Sequence, residues 1–385
     1  MSLTTPLTRL LGIRTPVISA PMAFAAGGLL ASEVSLAGGF GFMAPVPGQD
    51  ISHWKEQLSI AKNAFSKMDG LLPIGAGFLG WILDAQSPAP DPASPHKLMN
   101  EFLQAALDAH VRAIWFSFGN DLKRWIDVVR EHDRAVGNND EKNNRTLIFV
   151  QVGSVEQARV AVEQWRVDVL AVQGIEAGGH GFSTAPPLLT LLVSVISALT
   201  HDQLILVPLL ATGGLTTSSQ IAACLTLGAA GAVVGTRFLA TPESIYPPAY
   251  KDAILAAGRG DQIGSATERS FNFDWLQGRT TWPEGIDGRA LTIPAIRELK
   301  ELGGVGSLED LRVLAPGSED EQKFEHLRRK FQEAEKRGEK DASIVWAGSG
   351  VGLVNDIKPA KDIVEEFHRG IEAHLRFTGS SIVGA

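Results

Sequence analysis

Cysteine is almost missing from the 385-residue chain: Cys224 stands alone. No intrachain disulfide and no cysteine metal cluster can form, which fits a reducing compartment. A basic excess is also lacking, since 35 Lys and Arg stand against 43 Asp and Glu for a formal charge of −8. That balance disfavours nucleic acid and anionic membrane as partners. The apolar runs stop short of a membrane span. The opening MSLTTPLTRLLGIRTPV has no basic stretch leading into a long apolar core, and SSIVGA at the far end carries no lipidation or peroxisomal signature. A cytoplasmic protein is therefore expected. Three motifs are missing as well. G-x-G-x-x-G in a first strand-to-helix turn would mark a dinucleotide, HExxH would mark zinc, and G-x-S-x-G would mark a serine nucleophile.

What the chain does contain is a recurring β-then-α pattern. Short β-rich runs at 17–20, 40–43, 71–78, 113–118, 147–152, 168–172, 204–212 and 231–235 alternate with helical spacing such as 154–165 and 216–228. Eight such units predict an α/β fold, a (β/α)8 TIM barrel, rather than an open doubly wound sheet. The eighth unit is interrupted from 241 to 343, where no strand ladder is evident and turn signals (YPPAY, GRGD, PEGIDGR) precede a highly charged amphipathic stretch. The pattern resumes with SIVWAGSGVGL. The expected organisation is a barrel from 1–240 and 344–385 with a smaller, mainly helical domain inserted at 241–343, lying across the barrel mouth. The charged stretch EDEQKFEHLRRKFQEAEKRGEKD reads as a solvated helix, and the proline-rich 87–96 reads as a loop.

Barrel active sites lie at the carboxyl ends of the strands, and the loops after strands seven and eight commonly hold a phosphate. Here those loops are ATGGLTT, with Gly213 and Gly214, and VVGTR, with Gly235 and Thr236. Missing side chains let backbone amides approach an anion. A mononucleotide such as FMN or a phosphorylated substrate would suit this cradle. The loop after strand six, QGIEAGGHGF, opens on the same face and carries His180 between glycines. A lone histidine is structural more often than catalytic. At this position a neutral imidazole would be matched to take a proton near pH 7 from a moderately acidic C–H bond. Phe271, Phe273, Trp275 and Trp282 in the insertion could line an apolar pocket, although ordinary core packing is the commoner fate of such residues.

The run of APMAF, VQVGS, AVQGIEAGGHG, LLATGGLTT, GAAGAVVGTRFLAT and WAGSGVGLVNDIKPA resembles the nitronate monooxygenase family (2-nitropropane dioxygenase-like proteins) over nearly the whole chain. The resemblance implies an FMN-dependent enzyme that oxidises alkyl nitronates with O2 to carbonyl compounds and nitrite, with neutral nitroalkanes as a second expected substrate class. It implies that Pro21, Met22 and Ala23 contact the flavin ring, that Gln151, Gln173, Gly178 and Gly179 lie beside it, and that Gly213, Gly214, Gly235 and Thr236 hold its phosphate. His180 matches the family's catalytic base. Gly77, in IGAGFLGW, stands near where bacterial members often carry an asparagine against the cofactor, a departure closer to the fungal-type branch. The implied partners are a small nitro compound and O2, with no nucleic acid, membrane or metal, and a homo-oligomer is left open. Rival expectations are an FMN barrel that reduces enoyl thioesters with NAD(P)H, a flavin-free phosphate-binding isomerase or lyase, and a non-catalytic flavin binder.

Overall fold

A computed structural model describes residues 3–46, 48–85, 97–119, 121–137, 145–204, 207–258, 266–302 and 318–382. Eight parallel strands close a barrel. In ring order they are β1 (Val17–Ser19), β2 (Phe40–Met43), β3 (Leu72–Leu79), β4 (Val111–Ser117), β5 (Leu147–Val152), β6 (Val169–Gln173), β8 (Leu209–Thr212) and β9 (Gly231–Val234). The ring closes where Ile18 pairs with Val233.

All eight expected barrel strands are present. The seventh barrel strand begins later than the apolar run suggested. Pro208 has no amide to give a ladder, but its carbonyl accepts from the Leu170 amide at 3.1 Å, so pairing starts there. The front of that run, 205–206, and the proline-rich 87–96 lie outside the described residues.

Both faces of each barrel strand are buried, which is why the strands read as apolar runs rather than as alternation. Along β4, Ala113 and Trp115 point into the barrel while Ile114 and Phe116 meet the surrounding helices. Inside, Phe42 meets Trp115 edge-on at 5.3 Å and Phe149 at 5.1 Å, filling the interior with rings. Leu7, from the helix Pro6–Leu11, is wholly buried in this interior cluster. A Cβ on Gly231 would stand 2.4 Å from the Leu7 side chain and 2.9 Å from the Pro16 carbonyl, so a glycine lets helix and strand pack this closely.

The helices start where the capping residues predict. Ser154 accepts from the Gln157 amide to open Val155–Glu163, and Thr217 with Gln220 forms a capping box on Ser218–Thr226. YPPAY, expected as a turn, instead opens the helix Pro248–Ala257 with proline in its first turn, where no amide partner is needed. GRGD lies largely outside the described residues.

Two strands between β9 and the last helix were not foreseen. β10 (Thr267–Ser270) pairs antiparallel with β11 (Ile286–Leu291), and β11 pairs with β7 (Gly179–Phe182), a segment read from sequence as loop. β11 does alternate, with Ile286, Gly288 and Ala290 buried between more exposed Asp287 and Arg289. Glycine and paired charges on a short strand give that alternation almost no apolar contrast. The charged stretch forms the helix Glu319–Lys336. Its Phe324, Leu327 and Phe331 join Phe273, Trp275, Leu276, Ile296 and Leu299 in a core separate from the barrel's. β7 thus follows barrel strand β6 and belongs to the second sheet, which places its residues where the two cores meet.

Candidate active site

His180 sits on β7 opposite Gly288 of β11. Its ring is enclosed on several sides. Nε2 lies 2.9 Å from Oδ2 of Asp274, whose side chain is 3% exposed against 15% for the histidine. Trp282 stacks on the imidazole with centroids 3.6 Å apart and planes 12° from parallel. Trp346 approaches at 4.8 Å and is tilted by 47°. Phe118 touches both Phe182 and Trp282 edge-on, at 5.3 Å and 5.9 Å, extending an aromatic wall to the barrel rim.

Below the histidine a chain of buried polar groups crosses three barrel strands. The Trp115 indole N–H donates to Ser117 Oγ (2.9 Å), Ser117 Oγ to Gln151 Oε1 (3.2 Å), and Gln151 Nε2 to Gln173 Oε1 (2.9 Å). Gln173 Nε2 then donates to the backbone carbonyl of His180 at 3.4 Å. Ser117, Gln151 and Gln173 sit at or next to the carboxyl ends of their strands, and Trp115 lies one layer deeper in the barrel. Each glutamine amide still has an N–H that these bonds do not use.

The other side of the loop before β7 is clamped by charge. Arg269 pairs with Asp287 at 2.6 Å and reaches the Ala177 carbonyl at 3.4 Å, while Arg289 donates to the Ile175 carbonyl at 3.2 Å. Burial pushes the Asp287 carboxyl up from the usual carboxylate range, with Arg269 pulling the other way. Burial also lowers both guanidinium groups, though they stay charged at neutral pH. Glu176 accepts from the Leu188 amide at 2.9 Å. The loop carrying the glycines is therefore held at several points.

The glycines form one tight assembly with the returning chain after β11. Gly213 and Gly214 have φ of 118° and 70°, and Gly179 has 68°, all in the left-handed region where a side chain is strained. A Cβ on Gly178 would lie 2.3 Å from the backbone of Ala347 and Gly348, and one on Gly350 would lie 2.4 Å from the Gly214 carbonyl. Thr236 Oγ1 accepts from the Gly348 amide at 3.0 Å. Gly235 is less crowded, with Met22 Sδ at 3.6 Å and Ala20 Cβ at 3.8 Å from an added Cβ. The guanidinium of Arg237, next in the chain, is paired with Asp356 at 2.6 Å.

Most of the residues singled out in the sequence converge on this rim. Gly77 lies directly under Pro21, whose Cβ would be 2.4 Å from an added Cβ, and Ala23 is exposed beside them. Of the four insertion aromatics, Phe273 and Trp275 are core residues, Phe271 packs against that core, and Trp282 reaches His180. Sequence reasoning missed Asp274, Trp346, Ser117 and Gly348. WAGSGVGL reads in the sequence as the resumption of the barrel pattern and as part of the family resemblance; in the structure it holds an isolated bridge from Trp346 to Ala290 and a 3-10 turn, Ser349–Leu353.

Comparison with known proteins agrees with this geometry. The family model described as nitronate monooxygenase matches residues 4–370. A nitronate monooxygenase of Neurospora crassa is 30% identical over 94% of this chain and 90% of its own length. Nitronate monooxygenase npaC of Metarhizium robertsii is 31% identical over 91% and 89%. A solved nitroalkane oxidase from Streptomyces ansochromogenes superposes with a TM-score of 0.67 at 25% identity, covering 96% of this chain and 99% of that one. With a closed eight-stranded barrel, a glycine-built rim and a family match over nearly its full length, the chain belongs to the nitronate monooxygenase family of oxidoreductases.

Proposed function

We propose that this enzyme binds FMN at the glycine rim and oxidises alkyl nitronates with O2 to carbonyl compounds and nitrite, with His180 as general base toward neutral nitroalkanes. The observation that carries the reading is the placement of one enclosed imidazole, on β7, between an aromatic wall and the rim assembly of Gly178, Gly179, Gly213, Gly214, Gly235 and Thr236. Of these, Gly213, Gly214, Gly235 and Thr236 suit a flavin phosphate, while Gly178 and Gly179 suit a close approach of backbone to the ring. Glycines in the left-handed region, as at Gly213 and Gly214, are the kind of backbone that can cradle an anion, and Gly235 keeps side-chain bulk away from the strand end beside Met22.

Bound FMN would supply the redox chemistry, accepting the substrate's electrons and delivering them to O2. The chain's own residues supply position and proton transfer. Pro21, Met22 and Ala23, backed by Gly77, would flank the ring system, and the unused amide N–H groups of Gln151 and Gln173 would reach its polar edge. A nitro group makes the adjacent C–H acidic enough for a neutral imidazole to remove the proton, and the resulting nitronate is electron-rich. A nitronate arrives already deprotonated, so His180 would then only orient it. The division into a barrel, 1–240 and 344–385, and a substrate-covering domain, 241–343, belongs to the same reading. Trp282 and Trp346 enclose the substrate's side, keeping water from the reacting carbon.

A visible spectrum of the purified protein followed by anaerobic addition of a primary alkyl nitronate tests this. Oxidised-flavin absorbance that the nitronate bleaches is the expected result. A colourless protein, or a flavin bleached only by NAD(P)H together with turnover of an enoyl thioester, overturns it.

A further inference from the structure

We infer that Asp274 is the positioning residue of His180, selecting the imidazole tautomer protonated on Nε2 so that Nδ1 carries the lone pair that accepts the substrate proton. The inference rests on the base role proposed for His180. With the Asp274 side chain as a carboxylate, which only accepts hydrogen bonds, Nε2 is the donor across the 2.9 Å contact. A neutral imidazole has a single N–H, and placing it on Nε2 leaves Nδ1 bare. Among the described residues no other hydrogen bond reaches the ring.

Asp274 has little else to do where it stands. Its Oδ1 is buried with no partner among the described residues, and a buried carboxylate oxygen without a partner is costly. The cost is held in place by its neighbours. Phe273 and Trp275 on either side are locked in the second core, the Asp274 amide donates to Phe271 at 3.1 Å, and its carbonyl accepts from Arg279 at 2.8 Å. The other ionisable groups around β7 are already matched: Asp287 with Arg269, and Arg289 with the Ile175 carbonyl and Glu268 and Glu176 nearby. Among the described residues His180 is the one group that bonds the Asp274 carboxylate, and the Trp282 stack favours the ring orientation that makes this contact.

In the step this serves, the α C–H bond of the nitroalkane breaks. Its proton goes to Nδ1, its electron pair stays on the carbon and delocalises into the nitro group, and the imidazolium so formed faces the carboxylate. No oxidant enters this step.

The test uses the flavin-loaded enzyme with 15N-labelled histidine, and Asp274→Asn and Asp274→Ala beside the parent. The parent should show His180 as the Nε2–H tautomer. Asparagine can donate to Nε2 and so favours Nδ1–H, blocking the base; alanine offers nothing and leaves a mixture. Nitroalkane turnover should therefore fall about 10²–10⁴-fold in Asp274→Asn and less in Asp274→Ala, with preformed nitronate changed only a few-fold in both. A purely structural role predicts the reverse order, because alanine leaves a cavity and asparagine does not, and it predicts equal losses with both substrates. Either that order, or an Nδ1–H tautomer in the parent, overturns the assignment. Should His180→Asn leave nitroalkane turnover intact, the base role itself fails, and the nitrogen spectra alone then decide what Asp274 does.

Discussion

Trp282 lies flat on His180, its ring centroid 3.6 Å from the imidazole's. It is carried by a loop whose two ends, Gly278 and Gly285, have φ of 75° and 77°, so the chain turns sharply on each side of the indole. Aromatic stacking of this kind is worth about 0.5–1.5 kcal/mol. Trp282→Ala should lower kcat/KM for a nitroalkane roughly threefold to tenfold by that measure. Trp282→Phe should recover most of the loss. Steady-state kinetics on the two variants checks this, and an alanine variant as fast as the parent would show that the stack does not orient the base.

Gly178→Ala drives a methyl group into the backbone of Ala347 and Gly348, at 2.3 Å, where neither neighbour can move without opening the rim. Flavin content, read from the ratio of visible to ultraviolet absorbance after purification, should fall strongly. Gly379→Ala, with nothing within 4 Å of its added Cβ, should leave that ratio unchanged. A fully loaded Gly178→Ala protein would remove this glycine from the cofactor site.

Arg269→Ala strands the half-buried Asp287 without its counter-charge, a change that costs about 3–5 kcal/mol when a buried pair is broken. The pH dependence has a definite sign. Burial raises the folded-state carboxyl above its unfolded value, so the favourable contribution is complete below the unfolded value and is lost as pH rises through the folded one. Removing Arg269 enlarges that shift. Urea unfolding should find the variant's deficit largest at neutral pH and shrinking in acid, whereas a deficit independent of pH would contradict the electrostatic account.

Glu365 carries the opposite sign. Hydrogen bonds from Arg14 and then Arg369 hold its carboxyl down to about 2, so its contribution is present above the unfolded value near 4.5 and fades as pH falls toward about 2. The stability gap between the parent and Glu365→Gln should narrow over that interval. Salt should narrow it too, because the pair is exposed to solvent. A gap that stays constant from neutral pH into acid would count against the pairing.

The barrel was legible because its strands bury both faces and so appear as dense apolar runs, separated by capped helices such as the one opened by Thr217 and Gln220. The glycines at 178, 213 and 235 were legible because their loops follow those strands. β10 and β11 were not. TERS and IDGRAL hold their charges in a clamp around β7, and a pairing between 179–182 and 286–289 leaves no local periodicity to read. The same distance hid Asp274, which lies 94 residues from its histidine. FDWL looks like ordinary core sequence, and its flanking aromatics are indeed core. Trp282 was weighed as a pocket residue, but the stack that distinguishes it from Trp275 exists only once the insertion folds back on the barrel.

The most direct measurement compares His180→Asn with the parent on two forms of one substrate, the neutral nitroalkane and its preformed nitronate. Removing a general base should cost about 10²–10⁴-fold in kcat/KM with the nitroalkane. The nitronate, which has no proton to give, should lose roughly tenfold or less. Nitroalkane turnover equal to the parent's, or equal losses on both forms, would contradict the account of His180 as the base.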